Sequence, residues 1–204
     1  MCTPKAGRGL RPLQAGATLV ELVVFIVVVS VAVAAVLLAM NAVTRGSPDP
    51  MMRKQALAIA EALLEEVELM PFTFCDPDDA NVSTAQSATT GIGTTVCATW
   101  IEQMGPEAVQ GETRYNASFP FDNVNDYNGF NMNPIVDITN NAIAGLGAYT
   151  AAVTVTVPAA GLGGIAATDG NGQANVLLIT VTVTGPASVN VVLQGYRTKY
   201  APNI

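Results

Sequence analysis

Glu21 is the one ionisable residue in a long apolar run. Segment 19–40, LVELVVFIVVVSVAVAAVLLAM, has only Glu21 and Ser30 as polar side chains. A carboxylate fully inside a bilayer costs roughly 2.5–3.5 kcal/mol. Such an acid either snorkels to the interface without a partner or meets a cation from outside the run. Two further groups suggest chemistry. Cys75 and Cys97 are the cysteines of the body, while Cys2 lies among basic residues at the start. In an oxidising compartment a Cys75–Cys97 bridge is the simple reading. It closes a loop of about 22 residues and is worth roughly 3 kcal/mol on the chain-entropy model. In a reducing compartment both remain thiols. The loop from Phe121 to Gly129 gathers oxygen ligands suited to calcium. Val124 falls where an EF-hand needs a ligand, so a polar surface loop is expected, with Asp122, Asn125 and Asp126 as weak metal candidates. No other cofactor is expected.

The elements that position these groups follow from periodicity. A helix of residues 19–40 is about 33 Å long, enough to cross a bilayer core. Arg45-Gly46-Ser47-Pro48-Asp49-Pro50 must break or kink it. Asp49 or Ser47 can cap a restart, with Pro50 in its first turn. Residues 51–70 read as an amphipathic helix. Ala56, Ile59, Ala60, Leu63, Leu64, Val67 and Met70 lie on its apolar side, and Glu61, Glu65 and Glu68 on a solvated one. Pro71 ends it. Beyond Cys75 the pattern turns to strands: 94–103, 112–119, 148–157, 175–184 and 189–200. The last two form an antiparallel hairpin around Gly185-Pro186. Asp169-Gly170-Asn171-Gly172 reads as a turn, and the glycine-rich 159–172 stretch as a loop. The expected fold is α+β, a long apolar N-terminal helix and an antiparallel sheet covered by helix.

Composition narrows the function. Lys5, Arg8 and Arg11 precede the apolar run without an acid beside them, whereas the chain after Gly16 carries six basic and sixteen acidic residues. The basic start stays cytoplasmic and the body is exported, by the positive-inside rule. An acidic body is unsuited to nucleic acid or anionic lipid. The chain has no histidine, which removes the commonest general base and zinc ligand. No nucleophile elbow, paired-acid signature or Walker motif appears, so no enzyme is expected. Trp100, Tyr115 and Tyr127 are the aromatics from which a sugar-binding patch could be built, although scattered aromatics more often belong to core or sheet. A secretory signal peptide fits poorly, because the run is long and no A-x-A site closes it. A lipoprotein leader fits poorly too, because Cys2 precedes the run. A plain signal anchor remains.

The junction distinguishes a plain anchor from a processed one. Gly16-Ala17-Thr18-Leu19-Val20-Glu21-Leu22 resembles the prepilin cleavage and methylation motif, in which a glycine ends the leader and glutamate stands fifth in the mature chain. Ala17 departs from the more frequent phenylalanine or methionine. The resemblance implies a leader 1–16 cut after Gly16, an N-methylated Ala17, a spine helix 17–70 and a β-rich domain 71–204. It also implies that Glu21 meets the Ala17 amine of an adjoining subunit during assembly. More of the chain resembles the MshD-like minor pilins of mannose-sensitive haemagglutinin (MSHA) pili. That likeness rests on Asp49-Pro50-Met51, Arg53 to Glu61, Leu63-Leu64-Glu65-Glu66, the two body cysteines, the 121–129 loop and Gly195-Tyr196-Arg197.

The resemblance implies a low-abundance subunit that starts or caps a pilus. Its partners would be a prepilin peptidase/methyltransferase and other pilins, with residence in the inner membrane before assembly. Two alternatives stand beside it: a minor pseudopilin of a type II secretion system, and a membrane-anchored glycan-binding module.

Overall fold

The computed structural model describes residues 18–46, 50–108 and 111–199. They form two units, an N-terminal helix and the domain that follows. Gly16, Ala17, the basic residues before them, Ser47, Asp49 and Tyr200 lie outside the described residues.

Helix α1 spans Leu19–Gly46. Within it, Leu19–Asn41 has a mean hydropathy of 3.3, and none of its residues is buried. Valine-rich sequence makes a weak helix in water, but in lipid the backbone must satisfy itself, so the helix wins. These 23 residues reach about 35 Å at 1.5 Å per residue. The helix is long and apolar enough to cross a membrane or to serve as a signal sequence. Ser30 donates its hydroxyl to the Ile26 carbonyl at 2.7 Å, so its polarity is absorbed by the helix itself.

The domain opens with α2, Pro50–Leu69. Proline suits this start because its fixed φ and missing N–H cost nothing in a first turn. Ala56, Ala60, Leu63 and Val67 are its buried stripe, and that stripe lies on β5 and β6. A short parallel pair, β1 (Ser87–Thr90) and β2 (Val96–Cys97), follows. Then come β3 (Asn131–Met132), β4 (Thr150–Thr156), β5 (Val176–Thr184) and β6 (Asn190–Thr198), an antiparallel sheet in the order β3-β4-β5-β6. Alternation places Ala151, Val153 and Val155 of β4 and Leu177, Ile179, Val181 and Val183 of β5 in the core. Burying each such Val, Leu or Ile contributes roughly 1.5–3 kcal/mol. At Gly195 a Cβ would run into the Glu68 carboxylate, so glycine lets α2 lie close to β6.

A smaller core of Phe74, Cys75, Ala85 and Cys97 sits apart from the main one. Cys75 and Cys97 are joined by a disulfide, their Cα atoms 5.5 Å apart.

Two strand expectations fail. Of 94–103 only Val96–Cys97 is strand, with a single bridge from Cys75 to Ile101. Segment 112–119 is turn and bend. Its alternation of Glu112 and Arg114 with other residues reflects two charges turned inward, not the apolar face of a strand.

Candidate functional site

Two places in the chain hold acids that an apolar setting would oppose: the start of α1 and a pocket in the domain. In α1 the Glu21 N–H donates to the Thr18 hydroxyl at 3.3 Å, and the Leu22 N–H to the Thr18 carbonyl at 3.1 Å. Thr18 thus caps the helix, and Glu21 is the acid of its first turn. That is the Thr-x-x-Glu spacing of a capping box, and the first turn favours an acid through the helix dipole. This is a local role for Glu21 that the resemblance did not imply. The spacing of Thr18 and Glu21 was the signal for it in the sequence.

The domain's pocket is built where three loops meet. Phe72–Asp76 follows α2, loop segments cover 98–108 and 111–123, and the 3-10 turn η1 spans Val124–Tyr127. The Val124 N–H donates to the Pro71 carbonyl at 3.1 Å. Asn123 Nδ2 donates to Thr73 Oγ1 at 2.8 Å, which donates to the Cys75 carbonyl at 2.6 Å. The Glu102 N–H donates to the Phe74 carbonyl, and the Gly105 N–H to that of Asn125. These bonds converge six carboxylates as two triads, Asp76–Glu112–Asp122 and Glu102–Glu107–Asp126. In each triad one oxygen per residue lies within 4.8 Å of the other two. The Glu107 N–H donates to Glu112 Oε2 at 3.0 Å, which ties the triads together.

The loop 121–129 is therefore not a polar surface loop. Asn123, Val124, Asn125, Asp126 and Tyr127 are all buried. Asp122 and Asp126, two of the three weak metal candidates, each join a triad. The sequence reading missed Asp76, Glu102, Glu107 and Glu112; the three glutamates stand five residues apart, and Asp76 comes from a distant segment. The signal available was regional. Residues 76–126 carry eight of the sixteen acids and one basic residue, Arg114.

Electrostatics match this crowding. Burial first, then Asp126, Glu107, Asp76 and Glu112, push Glu102 up to about 11. Burial and the neighbouring Glu112 carboxyl push Glu107 up to about 8. Asp122 and Asp126 rise to about 7, chiefly through burial. Lys199 lies over Phe72 and Phe74, its Nζ 4.7 and 4.0 Å from their ring centroids. Burial lowers it to about 8, against the pull of Asp169 and Glu102. Several oxygens have no hydrogen-bond donor: both of Glu102, Glu107 Oε2, Asp122 Oδ1, Asp126 Oδ1, and Oδ1 of Asn123 and Asn125.

Elsewhere the domain handles buried acids differently. Asp79 accepts N–H groups from Asn81, Ala98, Thr99 and Trp100 at 2.7–3.0 Å. Burial opposes its charge, but those four bonds prevail and lower its pKa. Glu66 accepts two bonds from Arg114, at 2.6 and 2.7 Å, and one from Tyr127 at 2.8 Å. With that hydroxyl bonded and its ring 1 % exposed, Tyr127 cannot join Trp100 and Tyr115 in a surface sugar patch. The turn at Asp169 spends its Oδ1 on the N–H groups of Asn171 and Gln173.

No protein-family model matches the chain, and no curated protein or solved structure matches it either. What stands is an α+β chain with an apolar N-terminal helix and a disulfide-bonded, acidic domain.

Proposed function

We propose that this chain is a pilin-like subunit, a minor pilin of an MSHA-like type IV pilus that helps start or cap the filament. In this reading a prepilin peptidase cuts after Gly16 and methylates Ala17. The chain waits in the inner membrane with its start in the cytoplasm, then joins other pilins through α1. The observation that carries the reading is α1 itself: a span of 23 mostly apolar residues, none of them buried, with one charge, Glu21, in the first turn. Such a helix needs lipid or other helices around it. Its acid needs a cation, which cleavage four residues upstream would liberate on a neighbour.

Support also comes from the order of elements, an apolar helix followed by a second helix lying on an antiparallel sheet. A minor pseudopilin of a secretion system would share all of these features, and neighbouring genes separate the two. Coexpression with a prepilin peptidase should yield a mass that begins at N-methylated Ala17, and a bulky residue at Gly16 should block the cut. In cells, sheared filaments should contain the chain in small proportion to the major subunit. An intact N-terminus in the natural product would refute the reading.

A further inference from the structure

We propose that the acidic pocket is a calcium site, taking one Ca2+ on Asp76, Glu112 and Asp122 and a second on Glu102, Glu107 and Asp126. The geometry is the first ground. Calcium binds oxygens at about 2.3–2.6 Å, so two ligands on opposite sides of one ion are about 4.6–5.2 Å apart. In each triad the three oxygens lie within 4.8 Å of one another, which lets all three touch one ion.

The second ground is independent of the carboxylate count. Asp126 is 1 % exposed and Asn125 8 % exposed, yet Oδ1 of each has no donor. Both Glu102 oxygens and Asn123 Oδ1 are in the same condition. Buried acceptors normally find donors, as Asp79 and Glu66 do in this same domain. Lone pairs left over on Glu102, Glu107 and Asp126 of one triad, and on Asp122 of the other, call for a cation.

Ligand chemistry selects the ion. Without histidine, and with Cys75 and Cys97 spent on each other, the pocket offers oxygen alone. That disfavours zinc and copper. Magnesium keeps most of its water and takes one or two carboxylates, whereas calcium accepts six to eight oxygens in variable geometry. A cluster of six carboxylates, buried or half-buried, suits calcium. The ions would fasten the segment after α2, the 98–108 and 111–123 loop segments and η1 to one another. This inference is independent of the assembly reading, since the uncleaved chain carries the same pocket.

The test uses the full chain in detergent, stripped with EDTA and dialysed against radioactive calcium. Two ions per chain are expected, with Kd below about 0.1 mM, tighter than extracellular modules with fewer charged ligands. At a hundredfold excess over Kd, calcium should raise the thermal midpoint by about 8 °C per site for a domain of this size. Glu102→Gln and Asp122→Asn preserve side-chain shape, so each should fold in EDTA and each should bind one ion instead of two. The absence of bound calcium in the native chain would overturn the proposal. So would two ions retained in both variants, or an equal midpoint shift from magnesium.

Discussion

η1 stands between two opposite treatments of buried charge. Tyr127 donates to Glu66, which Arg114 holds with two bonds, so that acid is satisfied within the chain. Its neighbour Asp126 belongs to a triad whose oxygens are in part without donors. The first region has its cation built in. In the second, the strongest electrostatic neighbours of each raised acid include other acids. The difference is one of supply: Arg114 is the only basic residue between Lys54 and Arg197, and Glu66 takes it. A region that gathers six carboxylates, buried or half-buried, with no such residue must keep protons or take cations.

Removing Arg114 breaks the satisfied side and should have the largest effect. Arg114→Met would leave Glu66 without its two charged donors. Losing one partner of a buried pair costs roughly 3–5 kcal/mol, and the lower end, about 3 kcal/mol, applies because Glu66 keeps 24 % of its side-chain surface. Glu66→Gln combined with Arg114→Met should cost less than Arg114→Met alone, measured by urea unfolding. A larger cost for the double variant would mean that the pair acts through packing and not through charge. Next in size is the disulfide. Cys97→Ser should destabilise the domain by about 3 kcal/mol on the loop-entropy model. It should also weaken calcium binding, because Cys75 is bonded to Asp76 along the chain. Unchanged calcium affinity in that variant would show that η1 and the 98–108 and 111–123 loop segments hold the pocket without the bridge.

A pH series in EDTA reads both regions at once. Acids whose folded pKa is raised hold protons in the folded state that the unfolded chain has released. Their stabilisation is complete below the unfolded values, about 4, and is lost as pH rises through about 7 for Asp122 and Asp126 and about 8 for Glu107. Asp79 and Glu66 have lowered values, so they stabilise above about pH 4 and lose that contribution only in stronger acid. Lys199, lowered to about 8, acts only above that pH. The calcium-free chain should therefore show a urea midpoint that falls from pH 5 to pH 8. A midpoint that rises over this interval would mean that the pocket acids are charged and solvated.

The sequence made some of this legible and hid the rest for physical reasons. Alternation in 148–157 and 175–184 announced β4 and β5, because each strand must turn one apolar face to the core. The three- and four-residue spacing of 51–70 announced α2 in the same way. Alternation misled at 112–119, where the buried residues are charged: Arg114 is held by Glu66, far away in sequence, and Glu112 accepts from the Glu107 N–H five residues back. The 121–129 loop looked solvated because burial of polar residues is unusual without partners. Those neighbours are carboxylates from residues 76, 102, 107 and 112, and no local pattern shows them. The proposed cut after Gly16 rests on resemblance alone, since a cleavage site is an address read by an enzyme and not a consequence of folding.

The smallest expected effect concerns α1, where Glu21 has two roles to separate. As a first-turn acid under Thr18 it helps to start the helix. In the proposed assembly role it would meet an amine on another subunit. Thr18→Ala removes the cap and should cost about 1 kcal/mol of helix stability. In a membrane the rest of the helix is held by its own backbone bonds, so insertion and filament incorporation should be nearly unchanged. Glu21→Val removes the acid, leaves insertion intact and should strongly reduce incorporation. Glu21→Gln then decides between charge and shape. It keeps the hydrogen-bonding partner of a capping box but cannot pair with an amine as an anion. If sheared filaments carry Glu21→Gln at the native ratio, the acid of α1 is a helix cap and needs no amine from a neighbour.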